Sequence, residues 1–78
     1  MPVSETRIID IAKAVARERD KDFSNPEIES KRLHDEVWII EVRPGQAKDS
    51  SFLFNRNMQV RINANTGKVI RVYEYTKT

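Results

Sequence analysis

With 78 residues and no cysteine, the chain can form one hydrophobic core but neither a disulfide framework nor a thiolate zinc site. We therefore expect a single domain over residues 1–78. The net charge is +2, yet residues 1–40 carry seven basic and nine acidic side chains, whereas residues 41–78 carry seven and three. The C-terminal half is thus basic, which is typical either of a solvated face or of a surface that attracts an acidic partner.

The chain has no apolar run approaching the roughly 18 residues that a membrane-spanning helix needs. Its N-terminus also lacks the basic segment followed by an apolar segment that marks a signal peptide. We expect no membrane span. The location stays open between the cytoplasm and a mature domain outside it.

The first element is predicted to be an amphipathic helix over about residues 5–21. Apolar residues recur at the spacing of a helix with one buried side, namely Ile8, Ile11, Ala12 and Val15. Ser4 is suited to cap the helix because its side chain can accept from a free backbone N–H. Phe23 stays in phase with this stripe and is expected to anchor the chain where it leaves the helix.

The segment after the helix fits two structures. Pro26 and the two residues before it must end the helix, because proline restricts its own φ and that of its predecessor. Residues 27–33 could then form a short second helix with Pro26 at its start. They could also form an edge strand whose charged side chains discourage pairing with another chain. We expect the edge strand.

Residues 36–43 predict a strand because they are rich in β-branched and aromatic residues and too few for a typical helix. One face of this strand, with Trp38, Ile40 and Val42, should lie against the helix, and Trp38 is the clearest candidate for the core. Pro44 and Gly45 fit the centre of a type II turn, in which the glycine takes a positive φ. Residues 46–51 are polar and predict a loop.

Residues 52–62 alternate between apolar and polar side chains, as in a half-buried strand. Arg56 breaks the alternation, so this run could be one bent strand or two shorter ones, and we expect one. Residues 63–67 predict a reversal with Gly67 in the left-handed conformation. Residues 68–75 predict the last strand. The resulting fold class is α+β, with one N-terminal helix packed on a three- to four-stranded antiparallel sheet.

The strand with Trp38, and above all the run VRINANTGKVI from Val60 to Ile70, resemble the PepSY domain family. In that family a strand ends in an acidic-Ala-x-Thr-Gly-x-Val hairpin; here Asn63 stands where aspartate is usual and can cap the same turn. The resemblance implies a non-catalytic module that binds or restrains peptidases. Cystatin-like bacterial immunity proteins share the helix-on-sheet arrangement, so a toxin is the alternative protein partner.

No catalytic or cofactor site is expected. His34 is the only histidine, and its neighbours Asp35 and Glu36 could complete a metal site only through carboxylates, so we interpret it as a surface turn residue. The candidate partner-binding residues share the outer face of the last two strands: Gln59, Arg61, Arg71, Tyr73 and Tyr75. Arginine and tyrosine side chains on an open sheet can dock a protein, stack nucleic-acid bases or simply pair across strands. We expect a protein partner, keep nucleic-acid binding as the third hypothesis, and leave the oligomeric state open.

Overall fold

A computed structural model describes residues 2–45 and 56–76. In chain order the elements are α1 (Glu5–Arg19), a short 3-10 helix (Lys21–Phe23), β1 (Glu27–His34), β2 (Val37–Arg43), β3 (Arg56–Asn63) and β4 (Val69–Thr76). The four strands form one antiparallel sheet in the order β1-β2-β3-β4. This arrangement confirms the predicted α+β class. Within the described residues no helix is both long and apolar enough to cross a bilayer.

Helix α1 starts as predicted and ends two residues early. The Ser4 hydroxyl accepts a hydrogen bond from the Arg7 N–H at 3.2 Å, which satisfies one free donor of the first turn. The predicted end at residue 21 is wrong because Asp20 adopts an extended conformation. Its carboxylate accepts from the Asp22 N–H at 2.9 Å and so caps the 3-10 helix that carries Phe23 into the core.

The core lies between α1 and the inner face of the sheet. Nine apolar residues have no exposed surface: Ile8, Ala12, Ala16, Phe23, Ile40, Val42, Met58, Val60 and Ile62. The alternation predicted for β3 is therefore confirmed from Met58 onward. Ala12 and Ala16 are small enough for the helix to lie close to the strands, which explains why the middle of the stripe carries no larger side chain.

Trp38 lies at the margin of this core. It is only half-buried and packs against the buried cluster from one side. Its cross-strand partner Leu33 belongs to the edge strand β1 and is itself 55% exposed, so little apolar surface covers the ring on that side. The expectation of a central Trp38 is wrong, and Ile40 occupies the centre of β2 instead.

Residues 27–34 form an edge strand, which decides against the second helix. Glu29 is the extra residue of a β-bulge between Ile28 and Ser30. The β1–β2 hairpin closes through Asp35 and Glu36, which both have positive φ, 49° and 63°, as the central residues of a type I′ turn do.

The two glycines have different roles. Gly67 has φ 76°, as predicted, and the Asn63 side-chain oxygen accepts from the N–H groups of Asn65 and Thr66 at 2.8 and 3.0 Å. Gly45, in contrast, lacks the positive φ that a type II turn would give it. It is required because Asn25 approaches it too closely for a side chain. The predicted loop over residues 46–51, and the choice between one bent strand and two before Arg56, lie outside the described residues.

An ion-pair network fastens the end of the helical segment to the sheet. Arg56 at the start of β3 donates to Asp22 at 2.9 Å, to Asp20 at 2.5 Å and to Glu74 of β4 at 3.3 Å. Arg56 thus breaks the apolar pattern of its strand because its side chain makes these ion pairs.

Candidate functional site

The structure brings all five predicted partner-binding residues together on the outer face of the sheet. Cross-strand pairing places Gln59 opposite Tyr73 and Arg61 opposite Arg71, and Tyr75 lies opposite Asn57. The intervening β3 residues are the buried core residues, so the face carrying these side chains is the one turned away from α1. Tyr73 and Tyr75 remain 38% and 39% exposed, which leaves both rings able to meet a partner.

Tyr73 lies between two arginines. The guanidinium carbons of Arg61 and Arg71 are 5.5 and 5.3 Å from the centre of its ring, within the range of cation–π attraction. Arg61 also donates through Nε to the Gln59 side-chain oxygen at 2.9 Å. Like charges directly opposite on neighbouring strands repel each other. The aromatic ring offsets part of that repulsion, so the Arg61–Tyr73–Arg71 group is held in place without a carboxylate.

The other tyrosine belongs to a polar network. The Tyr75 hydroxyl donates to one oxygen of Glu41, and Gln59 donates to the other at 2.7 Å. Asn57, only 1% exposed, donates to Glu29 and, at 3.4 Å, to the Tyr75 oxygen. Burial raises the pKa of Tyr75, and the hydrogen bond to Glu41 raises it further. Tyr75 is therefore held as a neutral hydroxyl donor.

Sequence reasoning missed the part of this face that β1 and β2 contribute. Arg32 pairs with Ile39, which pairs with Arg61, which pairs with Arg71. We call these four residues the arginine row. Ile39 is 7% exposed although it lies on the outer face, and a shallow groove of about 230 Å³ is lined by residues 32–34 and Ile39. The missing signal was the β1–β2 register, because the pattern of residues 27–33 predicts an edge strand but not which of its residues pair with those of β2.

Glu41 was also missed. It lies beside the arginine row in the neighbouring row of partners, between Ser30 and Gln59. The face is consequently divided, with arginines toward the hairpin turns and the carboxylates of Glu41 and Glu29 toward the opposite end. The charge of the C-terminal half alone would imply a uniformly basic outer face. The carboxylates of Glu41 and Glu29 show that the face is instead divided.

His34 is on the surface, with its side chain 74% exposed and its Nε2 3.2 Å from an oxygen of Asp35. In the described part of the chain no three His, Cys, Asp or Glu side chains are grouped so that they could hold a metal ion. What the outer face offers chemically is hydrogen bonding, aromatic contact and positive charge.

A family model described as peptidase propeptide and YPEB domain, PepSY, matches residues 2–73 of the chain. This match covers α1, all of the sheet except the end of β4, and every candidate residue apart from Tyr75. No curated protein and no solved structure matches the chain.

Proposed function

The chain belongs to the PepSY family, and from this membership we propose that it is a non-catalytic module that binds and restrains a peptidase through the outer face of its sheet. The family is associated with peptidase propeptides. A propeptide acts on its enzyme by contact, so the relevant property of this chain is the surface that it can present.

The observation that carries the proposal is the exposure of the Arg61–Tyr73–Arg71 group on an open sheet face. Tyrosine and arginine are among the residue types enriched where protein interfaces concentrate their binding energy. Tyr73 presents a rigid ring, and the two guanidinium groups beside it are already positioned by that ring. A partner would thus meet a largely preorganised surface, which reduces the entropy lost on binding.

The divided charge of the face favours a protein over a nucleic acid. A nucleic-acid strand carries phosphates along its whole length, and on this face it would meet Glu41 next to Arg61. A protein surface can place acidic groups on the arginines and hydrogen-bond donors on Glu41. Among the three hypotheses, peptidase binding is also the one that accords with the family.

The test is to capture partners with the immobilised chain from an extract of the organism that encodes it, and to identify any peptidase recovered. The purified peptidase is then assayed for hydrolysis with and without the chain. We expect a double variant, Arg61→Ala with Tyr73→Ala, to weaken binding at least tenfold, equivalent to about 1.4 kcal/mol. The matched control is Arg17→Ala with Glu18→Ala on the exposed side of α1, which should bind as the unmodified chain does.

Two results would contradict the proposal. If no peptidase is captured and added chain leaves hydrolysis by the organism's peptidases unchanged, peptidase binding is wrong. If the α1 variant loses binding and the β3–β4 variant keeps it, the peptidase is the partner but the outer face is not the binding surface.

A further inference from the structure

The arginine row differs from the other arginines of the sheet in having no acidic partner. Arg43 pairs with Glu27 at 2.7 Å, and Arg56 pairs with three carboxylates. By contrast, Arg32, Arg61 and Arg71 make no ion pair with any residue between 2 and 45 or between 56 and 76. Three guanidinium groups therefore share one row of the sheet without a direct ion pair to any of the described residues.

This arrangement is unfavourable for the isolated chain. Arg61 and Arg71 are direct cross-strand partners, and like charges in that position destabilise a sheet. Their contact with Tyr73 offsets part of the repulsion and removes no positive charge. An anion placed over the row would relieve the repulsion and could accept two parallel N–H bonds from each guanidinium group.

We propose that the arginine row binds an acidic segment of the protein partner, in which two carboxylate side chains flank an apolar one. The proposal rests on the proposed function for its assumption that the partner is a protein. The groove beside Arg32 receives the apolar side chain, and Ile39, the uncharged member of the row, forms part of its lining.

The spacing of the row determines the spacing of the acidic residues. Neighbouring strands lie about 4.8 Å apart, so Arg32 and Arg71, three strands apart, are separated by about 14 Å along the row. An extended segment rises about 3.3 Å per residue, so its residues i and i+4 are about 13 Å apart and residue i+2 lies between them. The segment thus has the pattern acidic, any, apolar, any, acidic, with its apolar residue near Ile39.

The occupant is a short acidic segment rather than a nucleic acid because each strand contributes only one residue to the arginine row. The next row of partners is Ser30, Glu41, Gln59 and Tyr73, so negative charge extending beyond the arginines would approach the Glu41 carboxylate. A segment that crosses the strands along the row avoids this contact.

The experiment titrates the full ¹⁵N-labelled chain with a blocked peptide, Ser-Asp-Ser-Leu-Ser-Asp-Ser, while the Nε–Hε signals of the arginines are followed by NMR. We expect saturable shifts for Arg32, Arg61 and Arg71, with affinity that falls as salt is added. The same peptide with asparagine in place of aspartate should bind at least tenfold more weakly. Equal binding of the two peptides, or no saturable shift at the three arginines, would overturn the proposal. So would a single-stranded oligonucleotide that saturates the same signals at lower concentration than the acidic peptide.

Arg71→Gln tests the charge while keeping a long polar side chain. It should weaken peptide binding at least threefold, and the control Arg17→Gln on α1 should change it less than twofold. Unaltered binding by Arg71→Gln would count against the arginine row. Peptidase capture that survives in the absence of any peptide binding would remove this inference and leave the proposed function standing. Peptide binding without any peptidase partner would support the arginine row as a site for acidic segments and contradict the proposed function.

Discussion

Gly45, just after β2, lies directly against the backbone of Asn25, just before β1. A Cβ atom built at position 45 would overlap the carbonyl oxygen of Asn25 and come within 3.0 Å of its carbonyl carbon. Because the obstacle is main chain, no side-chain rotation can remove the overlap. The segment after β2 and the segment before β1 are therefore packed together at a point where only glycine fits.

Gly45→Ala should accordingly destabilise the domain by about 3 kcal/mol, the upper end of the range for overpacking, since the backbone itself has to move. The measurement is the urea midpoint followed by far-UV circular dichroism. Asn25→Ala is the matched control, because it keeps the carbonyl group and changes an exposed side chain; it should stay within about 0.5 kcal/mol of the unmodified chain. A Gly45→Ala protein as stable as the control would show that the two segments are not in contact.

Gly67 is constrained by conformation rather than by space. Its φ of 76° is unfavourable for residues with a Cβ, and a Cβ there would be in ordinary contact with Ile11 and Val3, at 3.4 and 3.5 Å. Gly67→Asn should cost about 1 kcal/mol, because asparagine tolerates the left-handed region, and Gly67→Val about 2 kcal/mol or more, because a β-branched residue does not. Denaturant midpoints that are the same for both variants would mean that the turn has no left-handed residue.

Local pattern was sufficient to predict most of the elements. The period of two in β3 and the helical spacing from Ile8 to Val15 each follow from burying one face, so they could be read before any tertiary contact was known. The turn between β3 and β4 could be predicted in the same way, since asparagine and glycine, here Asn63 and Gly67, are residue types that turn geometry favours. Trp38 and Gly45 were misjudged because their environments depend on Leu33 and Asn25, and both contacts are set by the way β1 pairs with β2.

The candidate site was predictable only for β3 and β4. These strands are joined by a short turn, so alternation alone places Gln59, Arg61, Arg71 and Tyr73 on one face. The contributions of Arg32 and Glu41 required the register of β1 on β2. That register is fixed by a bulge at Glu29 and by a hairpin turn, Asp35–Glu36, that lacks the usual asparagine and glycine.

Asp20 makes the stability of the domain sensitive to acid. The backbone N–H of Asp22 donates to the Asp20 carboxylate and lowers its pKa, and the Arg56 guanidinium lowers it further, against the opposing effect of burial. A carboxyl group whose pKa is lower in the folded than in the unfolded chain stabilises the fold at neutral pH, and this contribution is lost as the pH falls below about 4. We therefore expect Asp20→Asn to reduce stability by about 1 kcal/mol at pH 7, with a smaller difference near pH 3.

The measurement for Asp20 is the free energy of unfolding by urea between pH 3 and pH 7. Asp10→Asn, on the exposed side of α1, is the control and should follow the unmodified chain at every pH. A stability difference for Asp20→Asn that is the same at pH 3 and pH 7 would mean that ionised Asp20 does not contribute to folding.

Tyr75 should ionise later than an ordinary tyrosine. Its pKa is raised by burial and by the hydrogen bond to Glu41, because loss of the proton would place a phenolate next to a carboxylate. The measurement is the absorbance at 295 nm of a Tyr73→Phe variant, in which Tyr75 is the remaining tyrosine. The midpoint should lie above pH 10 while circular dichroism shows that the chain is folded, and should return to about 10 in concentrated urea.

The same shift implies a loss of stability in alkali. A group whose pKa is higher in the folded chain stabilises the fold below its unfolded pKa of about 10 and ceases to do so as the pH rises through its folded value. Glu41→Gln removes the carboxylate and keeps an acceptor for the Tyr75 hydroxyl, so it should move the folded midpoint down toward 10. The control is Glu18→Gln on α1, which is exposed and far from the outer face in the fold, and it should leave the midpoint unchanged. If the Tyr75 midpoint were about 10 in the folded Tyr73→Phe protein with Glu41 intact, the Tyr75–Glu41 bond would be absent in solution, and the polar half of the outer face would not be organised as described.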